Sequence, residues 1–172
     1  DMQCDDNIRT KANNYLALEQ PYSGETQVVH YLEMLRDIVG FDKIAAAVKN
    51  PVKRKIGAYY GCLLLRPGNV MAFDNPENPS IIEDFLKALG ATPVKYPMRN
   101  ECCGAYVAFK DAELPRKRSG SVISSAVENG AEEIVTACPL CLYNLRKYSG
   151  GAVKITYFTE LLAEALGVKD DE

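Results

Sequence analysis

Histidine is almost missing from this chain: His30 is the only one among 172 residues. Imidazole therefore cannot furnish a ligand set, and His30 lies far in sequence from most of the cysteines. An excess of positive charge is missing too. Lys and Arg number 20 against 23 Asp and Glu, a net charge of −3, which argues against a nucleic-acid binder with its clear basic surplus. No apolar run approaches the roughly 18–20 residues of a membrane span, and no signal-peptide pattern opens the chain. The expected setting is the cytoplasm, or the periphery of a membrane complex on a side the sequence does not assign. No segment is of low complexity. What is present is ordinary globular composition, 47% hydrophobic and 25% charged residues, in a length that suits one compact domain, or one and a fragment of another.

Cysteine is where the sequence is rich. The six are Cys4, Cys62, Cys102, Cys103, Cys138 and Cys141. In a small secreted chain they would suggest a disulfide framework. Their placement argues otherwise, because adjacent cysteines bond poorly to each other and a chain of this size holds a core without staples. Clustered thiols in such a protein point to metal binding or redox chemistry.

The opening DMQCDDNIRTKANNYLALEQ predicts a polar helix with a loose stripe of Ile8, Ala12, Tyr15, Leu16 and Leu18. QVVHYLEMLRDIVG puts Val28, Tyr31, Leu32, Leu35, Ile38 and Val39 at helical spacing before a Gly40 stop, and FDKIAAAVKN is a second short helix. From there strands and helices alternate. KIGAYYGC, TPVKYP, EEIVTA and VKITYF read as strands; IIEDFLKALG, about Lys117–Asn129, the segment opened by Pro139, and ELLAEALG read as helices. Asn78-Pro79 looks like a helix cap. This alternation predicts an α/β fold: a small, mainly parallel sheet with flanking helices, a Rossmann-like layered domain.

The cysteines then fall where strands end: Cys62 after the first, Cys102 and Cys103 in the loop after the second, Cys138 after the third. Parallel sheets gather ligand sites outside the carboxyl ends of their strands, so three groups far apart in sequence are expected in one place. Cys138 sits near a helix N-cap with Pro139 and Cys141 in the first turn, where free amides and the dipole favour a thiolate. Gly61 and Gly104 would let backbone approach an inorganic core. Five thiolates are more than a tetrahedral zinc site uses; an iron–sulfur cluster accommodates them if some bridge irons.

The spacing Cys62, 39 residues, Cys102-Cys103, 34 residues, Cys138-x-x-Cys141, in the contexts YYGCLLLRP, ECCGAY and CPLCLYNL, resembles the cysteine-rich CCG domain. It looks most like the second such domain of the B subunit of heterodisulfide reductase, and KITYFTELLAEALG resembles the end of that protein. The likeness covers about residues 26–168. It implies a noncubane [4Fe-4S] cluster on Cys62, Cys102, Cys103, Cys138 and Cys141, with two of them bridging. It also implies work beside iron–sulfur and flavin subunits in heterodisulfide reductase or succinate dehydrogenase/fumarate reductase complexes. Some domains of this kind bind zinc. CDDNIRTKANNY near the start echoes CLYNLRKY from Cys141, with Asp1 in the place of Cys138. Residues 1–24 are therefore expected to be the helical tail of a preceding, truncated CCG domain, with Cys4 a ligand left over from it, and residues 25–172 the CCG domain. One full motif makes the chain part of an oxidoreductase, not a complete catalytic unit.

Two rival readings stay open. One is a structural zinc module that docks subunits in a succinate dehydrogenase-like complex. The other is a thiol–disulfide oxidoreductase using Cys138 and Cys141. Exposed low-pKa thiols also make an empty or oxidised site an expectation for aerobic material. His30 reads as a hydrogen-bonded structural residue, and Tyr59, Tyr60 and Tyr106 as core or as a shield over the site. Arg66 reads equally as a charge near the site or a surface ion pair. Lys53-Arg54-Lys55 and Arg116-Lys117-Arg118 read as solvated faces, and Asn144 as either an exposed helical residue or a hydrogen bond to the site.

Overall fold

The computed structural model describes residues 3–17, 19–108 and 110–168. Asp1, the counterpart of Cys138 in the internal echo, and Leu18 of the first stripe lie outside them. The chain divides into a unit over residues 1–31 and a unit over residues 32–172. In the first, helix α1 (Asp6–Leu16) is capped by Asp5, whose carboxylate accepts from the amides of Asn7 and Ile8 at 2.9 and 3.1 Å. It ends where Ala17 turns left-handed, and it buries no residue.

The second unit is built on four strands, β1 (Lys55–Tyr59), β2 (Thr92–Val94), β3 (Glu133–Thr136) and β4 (Lys154–Tyr157). Their order is β2-β1-β3-β4 and every neighbouring pair is parallel, with Gly57 opposite Val94 on one side and Ile134 on the other. Around them lie α2 (Tyr31–Met34), α3 (Phe41–Ala47), α4 (Gly68–Met71), α5 (Ile81–Ala88), α6 (Glu113–Glu128), α7 (Pro139–Tyr148) and α8 (Phe158–Leu166). This is the helix-flanked α/β architecture that the alternation predicts.

Strands covered on both faces read as nearly continuous apolar runs, and the period of two then sorts their side chains. Ile56, Ala58, Val135 and Ala137 face one layer, with Ile44 of α3, Phe85 and Leu86 of α5, and Phe158 and Leu161 of α8. Tyr59, Ile134 and Ile155 face the other, with Val122 and Ala126 of α6 and Leu145 of α7. Each fully buried large side chain contributes roughly 1.5–3 kcal/mol. At the amino ends of the strands the buried Glu133 accepts from the Thr156 hydroxyl and pairs with Arg54 at 2.8 Å and Lys154 at 3.2 Å. Arg54 reaches on to Glu164 of α8 at 2.7 Å and holds that carboxyl below its usual range. Arg54 is thus no member of a solvated face; it ties β1 to β3 and α8.

Three element boundaries differ from expectation. The helix predicted over residues 27–40 begins only at Tyr31, and Val28 is 84% exposed. β-Branched Val28 and Val29 resist helix, and of that stripe only Leu32 and Leu35 become fully buried. A π-helical turn (Leu35–Val39) follows and stops at Gly40, as expected. α6 starts at Glu113, ahead of the predicted Lys117, because Pro115 in a first turn forfeits no hydrogen bond. Asp111 accepts there from the Glu113 and Leu114 amides at 2.8 and 3.2 Å. The cap of α5 is not Asn78 but Asp74, whose carboxylate accepts from the Ser80 and Ile81 amides at 2.7 and 2.8 Å.

Candidate metal centre

Strand order reverses between β1 and β3, and this is where an open α/β sheet leaves a crevice at its carboxyl edge. β1 ends at Tyr59, three residues before Cys62. β2 runs into a 3-10 turn (Pro97–Asn100) that delivers Cys102 and Cys103. β3 ends two residues before Cys138, which is the N-cap of α7, with Pro139 opening the helix and Cys141 in its first turn. The thiols of Cys62, Cys102, Cys103, Cys138 and Cys141 line one pocket with Leu63, Ala105, Tyr106 and Leu140. Cys103 and Cys141 are buried and their sulfurs lie 3.6 Å apart; Cys62, Cys102 and Cys138 are half-buried. Cys4 is exposed in the first unit.

Proton sharing sets the charge of this group. The Cys141 thiol hydrogen-bonds Cys103 and Cys138, which pushes its own pKa up. Cys138 falls to about 6, through that bond and then the Cys141 and Leu140 amides of the helix start, against the cost of burial. Cys103 also falls to about 6, through Cys141 first and then the Ala105 amide and the Asn144 side chain. Burial and a hydrogen bond with Cys102 raise Cys62 to about 11. The shared proton therefore biases Cys103 and Cys138 toward the thiolate, the form that binds metals.

Below the thiols, buried polar groups pin the loops that follow β1 and β2. Tyr59 is fully buried and donates its hydroxyl to the Glu101 carbonyl at 2.8 Å, one residue before Cys102. Burial and the neighbouring Cys141 and Cys103 push its pKa up. Tyr60, also buried, donates to Glu83 and accepts from the Ile82 amide at 2.9 Å. Glu83 is paired in turn with buried Arg99, which also donates to the Pro79 carbonyl at 2.8 Å and the Asn78 side chain at 2.7 Å. The clamp joins the end of β1, the start of α5 and the turn before the vicinal cysteines. Arg66 adds a bond to the Asn100 carbonyl at 3.1 Å and an ion pair with Glu77, so it braces the loop.

Two glycines fit the site closely. A Cβ on Gly61, whose φ is +67°, would lie 2.8 Å from the Cys141 sulfur, and one on Gly104, φ +81°, would lie 3.0 Å from the Pro115 backbone. Asn144 is buried and donates to the Cys103 carbonyl and sulfur at 3.5 and 3.8 Å, which excludes the exposed-helix alternative. Of the tyrosines, Tyr59 and Tyr60 are core, whereas Tyr106 is 64% exposed at the pocket mouth beside half-exposed Leu63 and Leu140. His30 precedes α2 outside any helix, in the first unit. Arg116 and Arg118 are exposed, as expected, with long pairings to Glu113 at 3.6 Å and Glu101 at 3.8 Å. Glu83, Arg99 and Ser119 belong to the site's support and do not stand out in the sequence. Only Glu83 leaves a signal there, a charged residue set among the apolar positions of IIEDFL.

The donor chemistry suits a thiophilic centre: five sulfurs from three loops, two of them acidified, with backbone cleared at Gly61. They line the pocket instead of converging on a point. Among the described residues, no three His, Cys, Asp or Glu side chains form a group tight enough for a single ion.

A parallel α/β sheet with cysteines gathered from three of its loops defines a class, and the sequence comparison agrees. The chain matches the CCG cysteine-rich domain over residues 56–146, more than half its length, and belongs to that family. It is 30% identical over 181 aligned positions to the 8-methylmenaquinol:fumarate reductase membrane anchor subunit of Wolinella succinogenes, covering 99% of this chain and 63% of that protein. It is 25% identical to the B subunit of the ferredoxin/F(420)H(2)-dependent CoB-CoM heterodisulfide reductase of Methanosarcina acetivorans, covering 88% of this chain and 54% of that one. A heterodisulfide reductase B-subunit-like protein of Archaeoglobus profundus is 31% identical over 80% of this chain and 48% of its own. The chain thus spans about half to two-thirds of these relatives, which by name are reductase subunits or resemble one. No helix among the described residues is long and apolar enough to cross a membrane.

Proposed function

We propose that this chain is an iron–sulfur redox domain of a heterodisulfide reductase B-like subunit, in which Cys62, Cys102, Cys103, Cys138 and Cys141 hold a noncubane [4Fe-4S] cluster. The observation that carries this reading is the single pocket lined by all five thiols. Five sulfurs spread around a pocket suit a core gripped at several points better than a lone tetrahedral zinc. When bound, the cluster supplies one-electron chemistry for disulfide or quinone/fumarate-linked reduction within a complex that includes iron–sulfur and flavin subunits. The chain's own groups do the rest. Cys103 and Cys138 are biased toward the thiolate, whereas Cys62 and Cys141 hold their protons and give them up on binding, so uptake releases acid. The opening amides of α7 offset negative charge at Cys138. Leu63, Leu140 and Tyr106 limit water at the mouth.

A dithiol reading has one observation in its favour. An acidified Cys138 beside a proton-holding Cys141 at a helix start is what a C-x-x-C redox pair uses. It gives no role to Cys62, Cys102 or Cys103. Anaerobic reconstitution with ferrous iron and sulfide, followed by elemental analysis, separates the readings. About four irons and four sulfides per chain are expected. A single zinc without sulfide, or a metal-free protein with a reversible Cys138–Cys141 disulfide, would overturn the cluster.

A further inference from the structure

Among the described residues, the Asn144 side chain is the polar group, other than the cysteines themselves, that donates to a site sulfur. Asn144 lies one turn beyond Cys141 on α7 and is 2% exposed. A buried carboxamide has given up its water and needs protein partners. Here the side-chain nitrogen meets two acceptors of one residue, the Cys103 carbonyl at 3.5 Å and the Cys103 sulfur at 3.8 Å. The same carbonyl accepts from the buried Ser119 hydroxyl of α6 at 3.4 Å. The Ala105 amide faces the sulfur from the following turn. Cys103 is therefore held by donors from two helices and its own loop. Cys62, by contrast, has a neighbouring thiol and the Leu63 amide. The donor is also permanent: a carboxamide keeps its hydrogens at any working pH, unlike a histidine or lysine.

Resting on the function proposed above, we infer that Asn144 is a positioning residue that sets the reduction potential through Cys103. Its N–H orients the sulfur and withdraws charge from it, so the more negative, reduced state of the centre is favoured. Hydrogen bonds to ligand sulfurs are among the protein's levers on such potentials, and outer partners fix ligand orientation. No contact between Asn144 and the iron is needed for this.

The test compares the wild type with Asn144→Leu, which keeps the branched side-chain skeleton and removes the donor. Both are reconstituted anaerobically, analysed for iron and sulfide, and titrated reductively under electron paramagnetic resonance. Equal iron and sulfide with a more negative midpoint and an altered resonance signature are expected. A purely structural role would lower loading without moving the midpoint of what loads. Equal loading with an unmoved midpoint would overturn the inference and leave the cluster reading standing. A wild type that takes up no iron and sulfide overturns the cluster reading, and this inference with it. Should the leucine variant not fold or load, wild-type protein labelled with 15N in its asparagine side chains serves instead. A 15N hyperfine coupling in the paramagnetic state is expected, and its absence would overturn the inference.

Discussion

A methyl group on Gly61 would sit 2.8 Å from the Cys141 sulfur, with the backbone already at φ +67°. Left-handed backbone costs a side-chain-bearing residue roughly 1–2 kcal/mol, and a shift of the sulfur would disturb its contact with Cys103 at 3.6 Å. Gly61→Ala is therefore expected to keep its helical circular dichroism yet retain much less iron per chain than the wild type under identical reconstitution. At this scale the five cysteines were legible because a vicinal pair, a C-x-x-C and a lone cysteine after a strand form a pattern visible in one dimension. Asn144 was legible only as one of two alternatives, since helical spacing does not say which residue a sulfur will face. Arg54 and Arg99 were not legible as ion-pair centres. Their partners Glu133, Glu164 and Glu83 are distant in sequence, and a run of basic residues looks the same whether solvated or paired.

α5 shows how a helix can be started from a distance. Its first amides are taken by Asp74, six and seven residues upstream, while Asn78 next to the helix turns its side chain to Arg99. Losing a capping carboxylate costs about 1 kcal/mol. Asp74→Ala should thus lower the urea midpoint of unfolding by a corresponding amount with the slope unchanged, whereas Asn78→Ala acts through the Arg99 clamp. Strands β1 and β3 were readable because burial on both faces leaves a short apolar stretch at the heart of each, Ile56–Tyr59 and Ile134-Val135. The segment over residues 27–40 misled because apolar spacing records where a helix would be amphipathic. It does not record whether a surface exists to receive that face.

At the scale of the β-sheet unit, the sheet separates two packed layers of apolar side chains. Both Cys103 and Cys141 lie in the layer under α6 and α7, and the cysteines that line the pocket run from residue 62 to residue 141. A group bound by the folded chain and not the unfolded one stabilises it. Removing iron from the loaded protein with a chelator should lower the unfolding midpoint. Amide exchange should quicken in the loops after β1, β2 and β3, and stay slow around Phe85 and Phe158 on the far face. The overall architecture was legible because strand–helix alternation leaves few ways to wind a small parallel sheet. The clamp beneath the site was not, since it depends on which loops end up adjacent.

Two of the site's sulfurs double as interior packing atoms. Over-oxidation of either to a sulfinate would drive charged oxygens among Val122, Ile134 and Leu145. Exposure to air then threatens the polypeptide's own integrity on that side, so spoilage of this protein would be registered as a half-melted body and not merely as a bleached one.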